Sequence, residues 1–396
     1  MEQKSEIPTM NIYSNLSNRL LKVFKKKKLK LHEPLFSETE KKSLIKCIES
    51  GFVSSSKDGF FIKKFENQIK KFTKAKYVIS TNSGVSGLHA SLIGLNVDKN
   101  DEIFLPSLTF VATAHSILYS GATPHFVEVD EKNLGICPVK LEKYLKKISI
   151  KKGSHFFNKK TKKRLFAIIP VHVFGLPCNI KELKNLATKY KMKVVEDATE
   201  ALGSFYSGKH VGNFGDTGVF SFNGNKIITS GGGGLIVTQS AKIFKKVSHI
   251  VANSKIKHRW EYIHDEVGFN YRMPNINAAL ASGQFENFRK ILKSKKKVYE
   301  IYKKIFKDIP EVYLFSQSKN SISNYWLNTI RIEKKGIDKE KLIKHFFRKK
   351  IFSRPVWKPL HTLKHLKHFP KSDLKITNKL YSSLINLPSG PGIIKK

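Results

Sequence analysis

Cysteine is nearly absent from this chain: Cys47, Cys137 and Cys178 stand far apart and outside any Cys-x-x-Cys spacing. An odd, scattered set suggests neither a disulfide framework nor a zinc cluster, and it suits a reducing compartment. Long hydrophobic runs are missing too. No stretch approaches the roughly 20 uncharged apolar residues of a membrane span, and the N-terminus lacks the apolar run and cleavage site of a secretory signal. A cytoplasmic location is therefore expected. Acidic residues are scarce, 31 against 73 lysines and arginines, which leaves a net charge of +42. Such a charge attracts polyanions, so a basic nucleic-acid-binding protein has to be weighed. The lysines are spread along the whole chain, however, and no helix-turn-helix, zinc-finger or RNA-recognition signature accompanies them. No nucleic-acid partner is expected, and a phosphorylated substrate would benefit from the same positive field.

What is present is an ordinary globular composition, 396 residues with 40% hydrophobic content, enough to bury a large core. Residues 1–31 form a basic N-terminal extension in which Leu20, Leu21, Val23, Phe24, Leu29 and Leu31 interleave with Lys25 to Lys28. That pattern fits a basic amphipathic helix, and weak association of residues 1–30 with a membrane surface is one expectation; packing of the helix on the body is the other. From about residue 60 the chain alternates. The spacing of Phe61, Phe65, Ile69 and Phe72 predicts a helix, and Tyr77 to Ser80 a strand. A helix from Val85 to Leu95 follows, then strands at Ile103 to Leu105, Thr123 to Val127, Leu165 to Pro170 and Lys193 to Glu196, with helices at Val111 to Tyr119 and Ile180 to Tyr190. This predicts an α/β fold: a large domain, residues 32–275, with a mainly parallel central sheet. Residues 276–396, with Lys-rich helices, a strand around Trp326 to Ile332 and a helix near Lys339 to Phe347, read as a smaller C-terminal α+β domain.

Three segments at the ends of these elements carry chemistry. Asn82-Ser83-Gly84-Val85 is a small-residue turn between a strand and a helix, where backbone amides make an anion site; a tight turn alone would also want Gly and Ser. In Val194-Val195-Glu196-Asp197 an apolar strand delivers a carboxylate to its C-terminal end, suited to a metal, a ribose, a protonated pyridine or simply a helix cap. Lys226 lies between the apolar run Phe220-Ser221-Phe222 and the glycines Gly231 to Gly234. A partly desolvated lysine there is a candidate Schiff-base former, whereas the order of lysine before glycines rules out a Walker loop. His361, His365 and His368 have helical spacing but no accompanying carboxylates, so no metal site is expected. His172 either lines a pocket or satisfies a turn.

Together with Leu31-His32-Glu33-Pro34, Pro106 to Ala114, His258-Arg259-Trp260-Glu261 and Gly268 to Arg272, these segments resemble the DegT/DnrJ/StrS sugar aminotransferases over about Leu31 to Pro388. That family has the type I fold of enzymes dependent on pyridoxal 5'-phosphate. The likeness is read as strongest to the branch acting on UDP-linked 4-keto-6-deoxy-N-acetylhexosamines in the bacillosamine and legionaminic acid pathways. The resemblance implies a nucleotide-linked keto sugar and glutamate as substrates, with UDP-2-acetamido-2,6-dideoxy-hexos-4-ulose and UDP-N-acetylbacillosamine as the expected pair. GDP-perosamine synthesis, or amination at the sugar's 3-position, is the alternative within the family. A dehydratase relative fits less well, since that branch replaces the lysine that is Lys226 here.

The resemblance also implies roles. Lys226 would carry the cofactor and move the substrate proton, Asp197 would keep the pyridine nitrogen protonated, and Phe110 would stack on the ring. Ser83, Gly84, Val85 and Ser221 would hold the phosphate, with Asn270 reaching it from the second subunit of a homodimer. Two positions depart from the family's pattern. Val85 replaces a threonine, leaving Ser83 or Ser86 to supply a hydroxyl. Glu200 stands where Gln or His is usual beside the cofactor's phenolic oxygen, and its charge would repel a phenolate unless it is protonated or turned away.

Overall fold

The computed structural model describes residues 9–55, 59–333 and 337–394. Its main sheet runs in the order Tyr77–Thr81, Gly234–Thr238, Thr217–Ser221, Lys193–Asp197, Arg164–Ile168, Asp101–Pro106, Thr123–Val127, and a hairpin of Ser149–Lys152 and His155–Asn158 extends it beside Arg164. Every pairing among the last five of the seven strands is parallel, while Gly234–Thr238 runs antiparallel to both its neighbours. Strands such as Lys193–Asp197, buried from its second residue onward, are apolar on both faces because helices cover both sides. The expected α/β fold with a mainly parallel sheet is therefore observed, with predicted element boundaries displaced by only a few residues.

A second sheet, ordered Val312–Leu314, Asn328–Ile332, Leu384–Leu387, Arg354–Pro355, is antiparallel throughout. The helix Thr9–Phe24 belongs to this second body. Its Leu16, Leu20 and Phe24 are buried in one apolar cluster with Val298, Tyr302, Phe346 and Ile385. Leu16, Leu20, Phe24 and Leu29 are thus packed on the body, the second of the two expectations, while Val23 remains exposed; residues 1–8 lie outside the described set. Among the described residues no helix is long and apolar enough to cross a membrane.

The two bodies meet above the C-terminal ends of the parallel strands. The segment leading into Asn328–Ile332 is the clamp: the Asn324 side-chain amide donates to the carbonyls of Glu200 (2.8 Å) and Leu202 (2.9 Å), and the Trp326 indole donates to the Asn225 carbonyl (2.7 Å). Buried amide-to-carbonyl bonds of this kind are costly to leave unmade, so they fix the second body against the loops that carry Glu200 and Lys226.

Candidate active site

The turn after strand Tyr77–Thr81 is shaped by contact as well as by sequence. A side chain on Gly234 would put its Cβ 2.2 Å from the Ser83 carbonyl oxygen, and one on Gly84 would reach 3.0 Å from the Ser221 Cβ. Glycine at both positions lets the start of the helix Gly84–Gly94 approach Ser221. Ser83 caps that helix by accepting from the Ser86 amide (3.1 Å), and its hydroxyl lies 2.8 Å from that of Ser86. The Gly84 and Val85 amides, at the first helical positions, have no carbonyl within the helix to bond and face a cavity.

Asp197 ends its strand buried in the same cavity, held from both sides. Thr113 Oγ1 donates to Oδ2 (2.7 Å), and the Thr199 hydroxyl (2.7 Å) and amide (3.2 Å) donate to Oδ1. Neither threonine stood out in the sequence. Their signal was available in Thr113, the second residue of the helix Ala112–Tyr119, and in Thr199 two residues past the carboxylate, where a local side-chain bond is common.

Lys226 sits on the loop after Thr217–Ser221, closed at its base by the Phe222 amide donating to the Gly233 carbonyl (2.8 Å) and the Ser230 amide to the Phe222 carbonyl (2.9 Å). Its ammonium lies 4.3 Å from the centre of the Trp326 ring and 3.3 Å from Glu200 Oε1. Glu200 Oε2 accepts from the Phe174 amide (2.8 Å), and Phe174 holds a left-handed φ of 56° while stacking on Trp357. Burial raises the Glu200 carboxyl to about 7, with Asp197 adding to the rise and Lys226 and the Phe174 amide opposing it. Glu200 is therefore turned toward Lys226 and poised to gain or lose a proton near neutrality.

The cavity these residues enclose measures about 290 Å³, and it also takes in Phe110, Ser221, Trp326 and Trp357. Of the residues expected at the site, only Asn270 lies outside its lining. Asn270 is exposed, and its carbonyl accepts from the Asn82 side chain (3.2 Å) beside the turn. His172 is settled as structural. Its Nδ1 accepts from the Cys178 amide (3.2 Å), so Nε2 carries the proton donated to Glu196 (3.1 Å), whose carboxylate also receives the Gly212, Phe214 and Gly215 amides. His361, His365 and His368 do not converge: His361 bonds Ser107 (2.7 Å) and His365 meets His115 (3.1 Å).

The lysine amine of Lys226, a carboxylate held by two hydroxyls, a helix N-terminus opening on the cavity and a cradle that any Cβ on Gly84 would crowd form one chemical set. It has an amine for a carbonyl, an acid for a ring nitrogen and donors for a phosphate, and so fits pyridoxal 5'-phosphate. A model of the DegT/DnrJ/EryC1/StrS aminotransferase family matches residues 34–396. The chain belongs to that family. The aminotransferase is 35% identical over 365 residues to the GDP-perosamine synthase of Vibrio cholerae, covering 92% of this chain and 94% of that protein. It is 34% identical over 372 residues to the GDP-perosamine synthase of Escherichia coli O157:H7, covering 93% and 94%. Among solved structures it resembles PseC of Helicobacter pylori, an aminotransferase involved in the biosynthesis of pseudoaminic acid, with TM-score 0.82, 26% identity and coverage of 92% and 94%. The family assignment makes this chain a pyridoxal-phosphate-dependent sugar aminotransferase. The Vibrio cholerae and Escherichia coli relatives bear the name of the alternative expected product and not of the bacillosamine branch.

Proposed function

We propose that the enzyme transfers an amino group from glutamate to a GDP-linked 4-keto-6-deoxy sugar, producing GDP-perosamine. The observation that carries this reading is likeness to GDP-perosamine synthases over nearly the whole of both chains. The UDP-linked substrate, with UDP-N-acetylbacillosamine as product, is retained as a second reading because the segments Leu31 to Pro34 and His258 to Glu261 resemble that branch.

The cofactor, when bound, supplies a carbonyl for the amine and a ring that accepts electrons from the substrate's α-carbon. The residues do the rest. Lys226 Nζ, the one lysine amine lining the cavity among the described residues, would be the nucleophile toward that carbonyl and, once freed, the base for the substrate proton. Asp197, clamped by Thr113 and Thr199, is the carboxylate that would keep a bound cofactor's ring nitrogen protonated. The Gly84 and Val85 amides with Ser83 and Ser221 would hold the cofactor's phosphate, and Phe110 would cover its ring. Glu200 stores a proton beside Nζ, so Lys226 can become a neutral amine without a charge leaving the cavity.

We also place Asn270 in the site of a second subunit. The hairpin before it exposes Trp260, Tyr262 and Val267, a set of apolar side chains that a partner chain would cover. The test of function is to incubate enzyme, cofactor and glutamate with GDP- and UDP-linked 4-keto-6-deoxy sugars and identify the aminated product by NMR. GDP-perosamine is expected. Amination of the UDP sugar alone would transfer the assignment to the second reading.

A further inference from the structure

Thr113, near the start of the helix Ala112–Tyr119, is buried in the wall of the cavity. A helical threonine can turn its hydroxyl back to a carbonyl three or four residues earlier. Thr113 does not. Its hydroxyl crosses to the end of the strand Lys193–Asp197, 84 residues away in the chain, and donates to Asp197 Oδ2 at 2.7 Å. A hydroxyl has one proton to give, so in the 3.3 Å contact between Thr109 Oγ1 and Thr113 Oγ1 the donor is Thr109. Thr109 to Thr113 to Asp197 is thus a directed chain of hydrogen bonds, and all three residues are buried and line the cavity.

The two oxygens of Asp197 are not equivalent. An ionised carboxylate offers about four lone-pair sites, half of them on each oxygen. Oδ1 receives both the Thr199 hydroxyl (2.7 Å) and the Thr199 amide (3.2 Å), which fills it, whereas Oδ2 receives Thr113 alone. Oδ2 is therefore the oxygen with a site left for a donor in the cavity, and Thr113 is the residue that holds it. Hydrogen bonds donated to a carboxylate also favour its charged form, which lowers its pull on a proton. A proton shared between Oδ2 and a ring nitrogen then stays on the nitrogen, the form in which the ring accepts electrons.

We propose that Thr113 is a positioning residue for Asp197, holding Oδ2 toward the cofactor's ring nitrogen and keeping the shared proton on the ring. This rests on the reading that Asp197 meets that nitrogen. The test loads the protein with cofactor isotopically labelled at the ring nitrogen and records the nitrogen chemical shift at neutral pH. Free cofactor with a protonated and with an unprotonated ring supplies the two reference values. The wild type should give the protonated value. Thr113→Val, which removes the hydroxyl and keeps the branched shape, should lower the ratio of protonated to unprotonated ring nitrogen by about ten- to a hundred-fold, as loss of one charge-assisted hydrogen bond implies, and so move the signal toward the unprotonated value. Thr113→Ala should do the same and serves if the valine variant folds poorly. Thr113→Ser keeps the hydroxyl and should give the wild-type signal, a rescue that a mere packing role would not produce. Thr199→Ala leaves the backbone amide on Oδ1 and should move the signal less than Thr113→Val. An unchanged signal in Thr113→Val and Thr113→Ala overturns the proposal, as does a serine variant that behaves like valine or a larger movement in Thr199→Ala. Asp197→Asn tests the reading beneath it: the ring should lose its proton, and a ring that stays protonated in that variant shows that Asp197 does not meet the nitrogen.

Discussion

Replacing Glu200 with Gln keeps the shape of the side chain and removes its titration. In the folded cofactor-free protein the carboxyl is raised from 4.5 to about 7, chiefly by burial. The sign follows from linkage. Below pH 4.5 the group is protonated in both folded and unfolded chains and contributes no pH dependence. Between pH 4.5 and 7 the unfolded chain releases the proton while the folded protein retains it, so stability falls as pH rises. At 1.36 kcal/mol per pKa unit, the shift amounts to roughly 3 kcal/mol lost by pH 8. Glu200→Gln should lack this slope. Urea unfolding of both proteins at pH 5, 6, 7 and 8 should therefore show the variant gaining about 2.5 kcal/mol relative to wild type across the range, most of it by pH 7. Parallel stability curves would refute the argument, because they would mean that Glu200 carries an ordinary carboxylate in the fold.

Two further outcomes probe other parts of the structure. Leu20→Ala should destabilise the protein by about 2–5 kcal/mol in urea unfolding, since Leu20 is fully buried against the second body; a surface helix would lose well under 1 kcal/mol. Mixing inactive Lys226→Ala with inactive Asn270→Ala and allowing subunits to exchange should restore up to about a quarter of wild-type activity per site, because half the dimers are mixed and each holds one intact site of two. No recovery after exchange shown by mass spectrometry would confine Asn270 to its own subunit.

The central sheet was legible because its parallel strands, buried on both faces, are short apolar runs bounded by turns, as at Thr123 to Val127. The antiparallel insertion of Gly234–Thr238 was not, because periodicity carries no strand direction. Lys226, Asp197 and the Gly84 turn stood out because their chemistry is local: each sits at the end of an element whose boundaries the sequence marks. Thr113, Trp326 and Trp357 did not, because they reach the site from 84, 100 and 131 residues away from Asp197, Lys226 and Lys226 respectively, and only the fold brings them there. The N-terminal helix was ambiguous for a physical reason. An apolar stripe beside lysines suits a bilayer surface and a protein core equally, and only the presence of Val298, Tyr302 and Phe346 opposite decides it.

The central claim is that Lys226 is the amine through which the enzyme holds its cofactor. Borohydride reduction of the cofactor-loaded protein, followed by digestion and mass spectrometry, should find one pyridoxyl group per chain, on the peptide containing Lys226. Lys226→Ala, treated identically, should carry none. A stoichiometric pyridoxyl group on any other lysine, or its persistence in Lys226→Ala, would contradict the account.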